Sequence, residues 1–204
     1  MKNTRYMERR AIISRDEAQG ILEEYLPNLD ADFRSAWDWV QSFLDEDPER
    51  RMSLDISTQA AAVYDRFVRL MRHRYSVDPH VTFKVKGRML QMRIRGKLCL
   101  RFKKLDEKLR SKNVKTNSQL CIYYQMTMDG LEDATEITFG YRTDVTGRKW
   151  LGLYVTCPLG WGRNKWVISV NEEGGETGML SFAPTTGPSD QPPQIWPKDE
   201  RKTE

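Results

Sequence analysis

The spacing of apolar residues changes at His80, and this change most strongly limits what the chain can fold into. Before it, apolar residues recur at helical spacing, as in Ala18, Ile21 and Leu22. After it, apolar and polar residues alternate, beginning with residues 81–86, and a period of two is typical of a half-buried strand. The pattern predicts an α+β fold in which N-terminal helices precede an antiparallel sheet of about six strands interrupted by one helix.

Residues 1–79 are predicted to form about three helices. Residues 14–17 match the S-x-x-E capping box that starts a helix, and Pro27 is expected to end it. A second apolar stripe from Phe33 to Leu44 predicts the next helix, and a third is expected from about Ile56 to Arg74.

The first three strands are predicted as a hairpin-linked meander. Alternation runs through residues 81–86, 90–95 and 97–103, and Gly87 and Gly96 supply the turns between them. The next stretch, residues 120–128, alternates as a strand would but follows a T-x-x-Q capping box, which favours a helix.

Three further strands complete the prediction, over residues 136–142, 150–156 and 165–170, with Gly147 as the positive-φ residue of the first turn. The β-rich part therefore spans residues 80–171 and is expected to pack with the helical part. Residues 172–204 are rich in Pro, Gly and acids, which predicts a disordered tail.

Cysteine and histidine usage bounds the chemistry. Cys99, Cys121 and Cys157 form no C-x-x-C pair, and His73 and His80 lack the spacing of a zinc site, so no metal or cofactor is predicted. Without a signal peptide or an apolar run of about 20 residues, we expect a cytoplasmic protein with no membrane contact. Cys99 lies among basic strand residues, which predicts the lowest thiol pKa of the three.

The positive charge is concentrated in one segment. Residues 81–116 contain 13 Lys and Arg against 2 Asp and Glu, although the whole chain has a net charge of only +4. Strand alternation places seven of these cations on one face, where like charges on neighbouring strands repel each other. A polyanion relieves that repulsion, which makes the face a candidate nucleic-acid site. The candidate residues on this meander are Lys84, Lys86, Arg93, Arg95, Lys97, Arg101 and Lys103.

A second candidate feature is the loop of residues 160–166, which mixes tryptophan, glycine and cations. Trp161 is a candidate for cation–π or stacking contacts, and Arg163 is added to the nucleic-acid-binding set. Trp166 is expected in the core because a strand follows it. No aromatic residue alternates onto the basic face, so contact with the phosphate backbone is favoured over reading of bases.

Three function classes remain open at this point. The favoured one is non-enzymatic binding of nucleic acid through the basic meander. An RNA-cleaving, toxin-like enzyme is the second, although the consecutive residues Asp106, Glu107 and Lys108 do not converge on one ion. The third is a protein-interaction module with an acidic partner. The basic face can also be a solvated surface, or be covered by the acidic helices or tail of the same chain.

Three blocks of residues also suggest a relationship. They are residues 98–106 with 110–111 and 113–119, residues 134–135 with 140–141, and residues 156–158 with Gly160 and 166–168. Over about residues 85–171 the chain resembles an uncharacterised family of bacterial accessory-genome proteins. The resemblance implies a setting among toxin–antitoxin or phage-defence genes, and it implies no catalytic residues.

Overall fold

The computed structural model describes residues 9–86, 89–111, 116–127, 134–160 and 162–172. The tail predicted beyond residue 172 and Trp161 lie outside the described residues. The side chain of Lys86 is outside them as well.

The described chain forms five helices and six strands. The helices are α1 (Arg15–Leu22), α2 (Leu26–Asp45), α3 (Pro48–Ser53), α4 (Ile56–Arg74) and α5 (Asn117–Tyr123). The strands are β1 (Val81–Lys86), β2 (Met89–Ile94), β3 (Leu98–Lys104), β4 (Thr135–Thr143), β5 (Trp150–Pro158) and β6 (Asn164–Glu172).

The strands form one sheet in the order in which they follow each other along the chain. All neighbours are antiparallel except β3 and β4, which run parallel. The α+β class and the meander of β1 to β3 are confirmed, and the fully antiparallel sheet is corrected to a mixed one. The parallel pair is possible because a long connection containing α5, and not a tight turn, joins β3 to β4.

The helix boundaries follow their capping residues. Ser14 accepts a hydrogen bond from the Glu17 amide at 3.1 Å, and Thr116 accepts one from the Gln119 amide at 3.3 Å, so both predicted caps are confirmed. The prediction for Pro27 is wrong. This proline lies in the first turn of α2, where a missing backbone N–H leaves no helical hydrogen bond unmade.

The main core lies between helices α2 and α4 and one side of the sheet, which we term the first face. Phe67 of α4 packs on Phe102 of β3, with ring centroids 4.3 Å apart. Phe33 of α2 packs on Tyr141 of β4, with ring centroids 5.1 Å apart. These aromatic contacts fix the sheet against the helices.

The opposite side of the sheet, the second face, is also covered. Leu105 and Leu109, which follow β3, pack there with Tyr154 and Val167 as a small separate cluster. Gly140 permits this contact, because a Cβ atom at this position would lie 2.6 Å from the Leu105 Cγ atom. The strands at the centre of the sheet are therefore buried on both faces, and not half-buried as the alternation predicts.

Candidate functional site

A row of polar side chains crosses the middle of the second face. Arg101 of β3 pairs in register with Thr138 of β4, and Thr138 pairs with Thr156 of β5. Arg101 is completely buried, and both threonines are more than nine-tenths buried. We call these three residues the polar row.

Arg101 also belongs to a buried ion cluster with Arg10 and Glu136. The Glu136 carboxylate lies 3.6 Å from Arg10 Nη1 and 3.5 Å from Arg101 Nε, and all three side chains are at most 1% exposed. Arg10 Nη1 also donates to the Ala134 carbonyl at 2.9 Å, and Arg101 Nη1 to the Gln119 amide oxygen at 3.2 Å. Two guanidinium groups therefore share one carboxylate.

The ion cluster leaves positive charge without full compensation. Within the described part of the chain, the Nε and Nη2 atoms of both Arg10 and Arg101 make no hydrogen bond. Burial of a charge is unfavourable unless it is paired and hydrogen-bonded. The interior of the second face is therefore electropositive.

Gln125 holds the end of α5 against the sheet. Its amide nitrogen donates to the carbonyls of Glu136 and Pro158 at 2.7 and 3.1 Å, and its amide oxygen accepts from the Glu136 amide at 2.9 Å. The Gln125 side chain thus replaces strand pairing where β5 separates from β4. This contact places Tyr123 above the polar row, with the centroid of its ring 5.9 Å from the Arg101 guanidinium carbon.

A cavity of about 290 Å³ opens beside the polar row. Thr138 and Thr156 line it on the sheet side. The remaining lining residues come from three covering segments: Asp106, Arg110 and Ser111; Tyr123; and Pro158, Gly160, Gly162, Arg163 and Asn164. Most of the residues that line the cavity therefore have polar or charged side chains.

Asp106 organises one wall of this cavity. Its carboxylate accepts from the amides of Lys108 and Arg110 and from Arg110 Nε, each at 2.9 Å. Partial burial acts to raise the pKa of Asp106, but the hydrogen bonds from Arg110 outweigh it and hold the pKa below its usual value. Asp106 thus shapes a turn, and within the described residues no group of three acidic, His or Cys side chains is arranged to hold a metal ion.

The β5–β6 loop forms the opposite wall. Gly160 and Gly162 have φ angles of 126° and 90°, which residues with a side chain rarely adopt. The Gly160 amide donates to the Tyr123 carbonyl at 2.7 Å, so the loop is tied to α5. Arg163 lies on the cavity wall as a result.

The predicted basic face is largely occupied. Arg93 and Arg101 are buried, so the expectation that they lie on an open face is wrong. Alternation placed them correctly on one side of the sheet, but it did not reveal the segments that cover that side. Lys84 is exposed, whereas Lys103 and Arg163 are half-buried.

The β2–β3 turn carries the other two predicted cations. Arg95 Nη2 lies 2.7 Å from the Glu24 carboxylate, and Lys97 Nζ lies 2.8 Å from that of Glu17. All four side chains remain exposed. The acidic helical part of the chain therefore neutralises this turn, which is one of the alternatives that the sequence left open.

The prediction for Cys99 is wrong. Burial, with the nearby Glu136 charge as a second cause, raises its pKa to about 12. The charges of Arg101 and Arg93 act in the opposite direction but do not compensate for the loss of water. Cys121 and Cys157 are buried as well.

The sequence analysis missed most of the cavity. It selected Arg163 and the surrounding glycine-rich loop, but not Thr138, Thr156 or Arg110. An available signal was Gly140, since a glycine inside a strand often marks close approach of another segment. No comparable signal marks the two threonines, which are ordinary strand residues.

The fold and the cavity define an α+β protein with a six-stranded mixed sheet and an electropositive, covered second face. Comparisons with protein-family models, with curated proteins and with solved structures found no match. The resemblance to an accessory-genome family therefore stays a prediction. Among the described helices, none combines the length and the apolar character that a membrane span requires.

Proposed function

We propose that the protein binds nucleic acid, or a similar polyanion, through the phosphate backbone, on the accessible rim of the second face. The observation that supports this proposal is the accumulation of cations there. Six cations among the described residues of the second face and its covering loops are partly or fully exposed: Lys84, Lys103, Lys108, Arg110, Arg142 and Arg163.

Two of the acidic residues described on this face are already paired with arginines. Asp106 is engaged by Arg110, and Glu136 is buried between two other arginines. Desolvation lowers the pKa of Lys103, and the like charge of Arg101 lowers it further. A lysine in such surroundings gains from a nearby anion, and closely spaced phosphates supply one with release of counterions.

The accessible cations are suited to backbone contacts. Tyr123 and Tyr154 are buried and Tyr124, beside Gly160, is half-buried, so these aromatic residues offer no fully exposed platform for stacked bases. Binding is therefore expected to depend on charge more than on base sequence. The regulatory or phage-defence setting of such binding rests on the resemblance alone.

The test is the salt dependence of binding to a fluorescent oligonucleotide that ends in a 5′-hydroxyl, followed by anisotropy. Each lost phosphate contact reduces the slope of log K against log salt by about 0.9, so Lys84→Gln with Lys103→Gln should reduce it by about 2. The matched control is Lys149→Gln with Arg72→Gln, two exposed cations on the β4–β5 turn and on α4.

Two results would overturn the proposal. One is wild-type protein that does not bind the oligonucleotide even at low salt. The other is an equal reduction of the slope in the control, which would mean that only the net charge of the protein matters. Cleavage of the oligonucleotide in the same assay would favour the enzymatic alternative.

A further inference from the structure

We propose that the cavity on the second face is a binding site for the phosphate monoester of a nucleotide-sized molecule. This inference rests on the proposed function only in assigning the second face to phosphate recognition. It concerns the cavity and not the accessible rim.

The size of the cavity suits a small molecule. Its volume of about 290 Å³ is close to the lower end of ligand pockets, which begin at about 300 Å³. The two glycines of the β5–β6 loop allow the backbone to curve around this space, since both adopt positive φ angles. These two glycines therefore contribute to the shape of the cavity wall.

The lining groups suit an oxygen-rich anion. The lining residues include Arg110 and Arg163, whose guanidinium groups match the geometry of phosphate oxygens, and Thr138 and Thr156, which belong to the sheet and carry hydroxyl groups. Among the described residues that line the cavity, Asp106 has the one acidic side chain, and it already accepts hydrogen bonds from Arg110 at 2.9 Å. The same contacts fix the Arg110 side chain in place.

The charge behind the cavity is an independent observation that points to an anion. Arg101 lies beside Thr138 on the neighbouring strand and is completely buried. Its Nε and Nη2 atoms make no hydrogen bond to the described residues. Two guanidinium groups share the single carboxylate of Glu136, so positive charge remains in a region of low dielectric constant, where its effect on a neighbouring anion is strong.

A phosphate monoester meets these conditions better than a carboxylate. It carries a charge of about −1.5 to −2 at pH 7 and presents three acceptor oxygens, so donors from the sheet and from both walls can bind it together. The phosphate can belong to a free nucleotide or to the end of a nucleic-acid strand, and the chemistry of recognition is the same.

The experiment compares adenosine 5′-monophosphate with adenosine by isothermal titration calorimetry. The monophosphate should bind and adenosine should not. Thr138→Val and Thr156→Val retain the side-chain shape but remove a donor, so each should weaken monophosphate binding by about tenfold. Thr82→Val, on the exposed edge strand β1, is the matched control and should leave binding unchanged.

Two further arms identify the source of the phosphate. If a 5′-phosphorylated oligonucleotide binds more tightly than its 5′-hydroxyl form, and Thr156→Val removes the difference, the site accepts strand ends. If only the mononucleotide responds, the ligand is a free small molecule. Arg163→Gln is a second variant with the same expected loss, should either valine variant fail to fold.

Equal binding of adenosine and its monophosphate would overturn this inference, as would valine variants that fold and bind the monophosphate as wild type does. Absence of any monophosphate binding at millimolar concentration would do so too. The proposed function is judged separately, since it depends on the 5′-hydroxyl oligonucleotide and on Lys84 and Lys103. Neither residue lines the cavity.

Discussion

The buried ion cluster provides the sharpest test of the fold, through the substitution Glu136→Gln. Glutamine has almost the same shape as glutamate, so the packing of the site changes little. The negative charge shared by Arg10 and Arg101, at 3.6 and 3.5 Å, is lost. Both guanidinium groups would then be buried without a counterion among the described residues.

The expected effect is large. Removal of one partner from a buried ion pair typically destabilises a protein by about 3–5 kcal/mol, and here the remaining charges also repel each other. Total stabilities of natural domains are about 5–15 kcal/mol, so the variant should be marginally folded. The comparison variant, Arg101→Met, leaves one arginine with one carboxylate and should change stability by no more than about 1 kcal/mol.

Urea unfolding followed by circular dichroism measures both variants under the same conditions, with the slope of the transition as a check on two-state behaviour. The reasoning is refuted if Glu136→Gln changes the free energy of unfolding by less than about 1 kcal/mol. It is also refuted if Arg101→Met is the more damaging of the two.

Three other results are expected. Gly140→Ala should destabilise the protein by about 1–3 kcal/mol in the same unfolding assay, because the added Cβ atom would lie 2.6 Å from Leu105 Cγ. Native protein should leave all three cysteines unlabelled by iodoacetamide while denatured protein reacts fully, since all three are buried and Cys99 has a pKa of about 12. Asp106 has a lowered pKa in the folded state, so its stabilising effect is present at neutral pH and is lost as the pH falls below about 4. Asp106→Asn should therefore be less stable than wild type at pH 7 and should lose less stability on acidification, which unfolding curves at both pH values measure.

Local structure was predictable because it depends on neighbouring residues. Ser14 and Thr116 cap helices where the sequence places caps, and the turn after β2 forms at Gly96, which has a φ angle of 65°. Arg95 before it also adopts a positive φ angle, 51°, which the residue type does not suggest. The turn position follows from the alternation of the strands that flank it.

The layer that covers the second face was not predictable in the same way. A period of two shows that Arg101 and Leu100 point to opposite sides of β3, but it does not show what lies beyond either side. The contacts that bury Arg101 come from Glu136 and Gln119, which are distant in sequence. Polar residues that face a second polar layer therefore have the same sequence pattern as polar residues that face water.

The direction of the parallel strand pair has a similar cause. A tight turn fixes the next strand as antiparallel, whereas a long connection permits either direction. Between β3 and β4 the chain crosses the second face, where Leu105 and Leu109 pack on the sheet and α5 follows. The choice of direction depends on this packing, which involves residues that are far apart along the chain.

The cations of residues 81–116 have different surroundings, and those of Arg101 link the stability of the protein to ligand binding. Arg95 and Lys97 are paired with glutamates at the exposed turn, whereas Arg101 is buried beside the cavity with incomplete compensation. If a bound phosphate offsets this charge, Arg101 opposes folding of the free protein and favours binding of the ligand. Arg101→Met should then weaken monophosphate binding while leaving the free protein equally stable or more stable. If Arg101 served only packing, its replacement would lower the stability of the free protein as well. Weaker monophosphate binding together with unchanged or higher stability of the free protein would therefore distinguish the two roles.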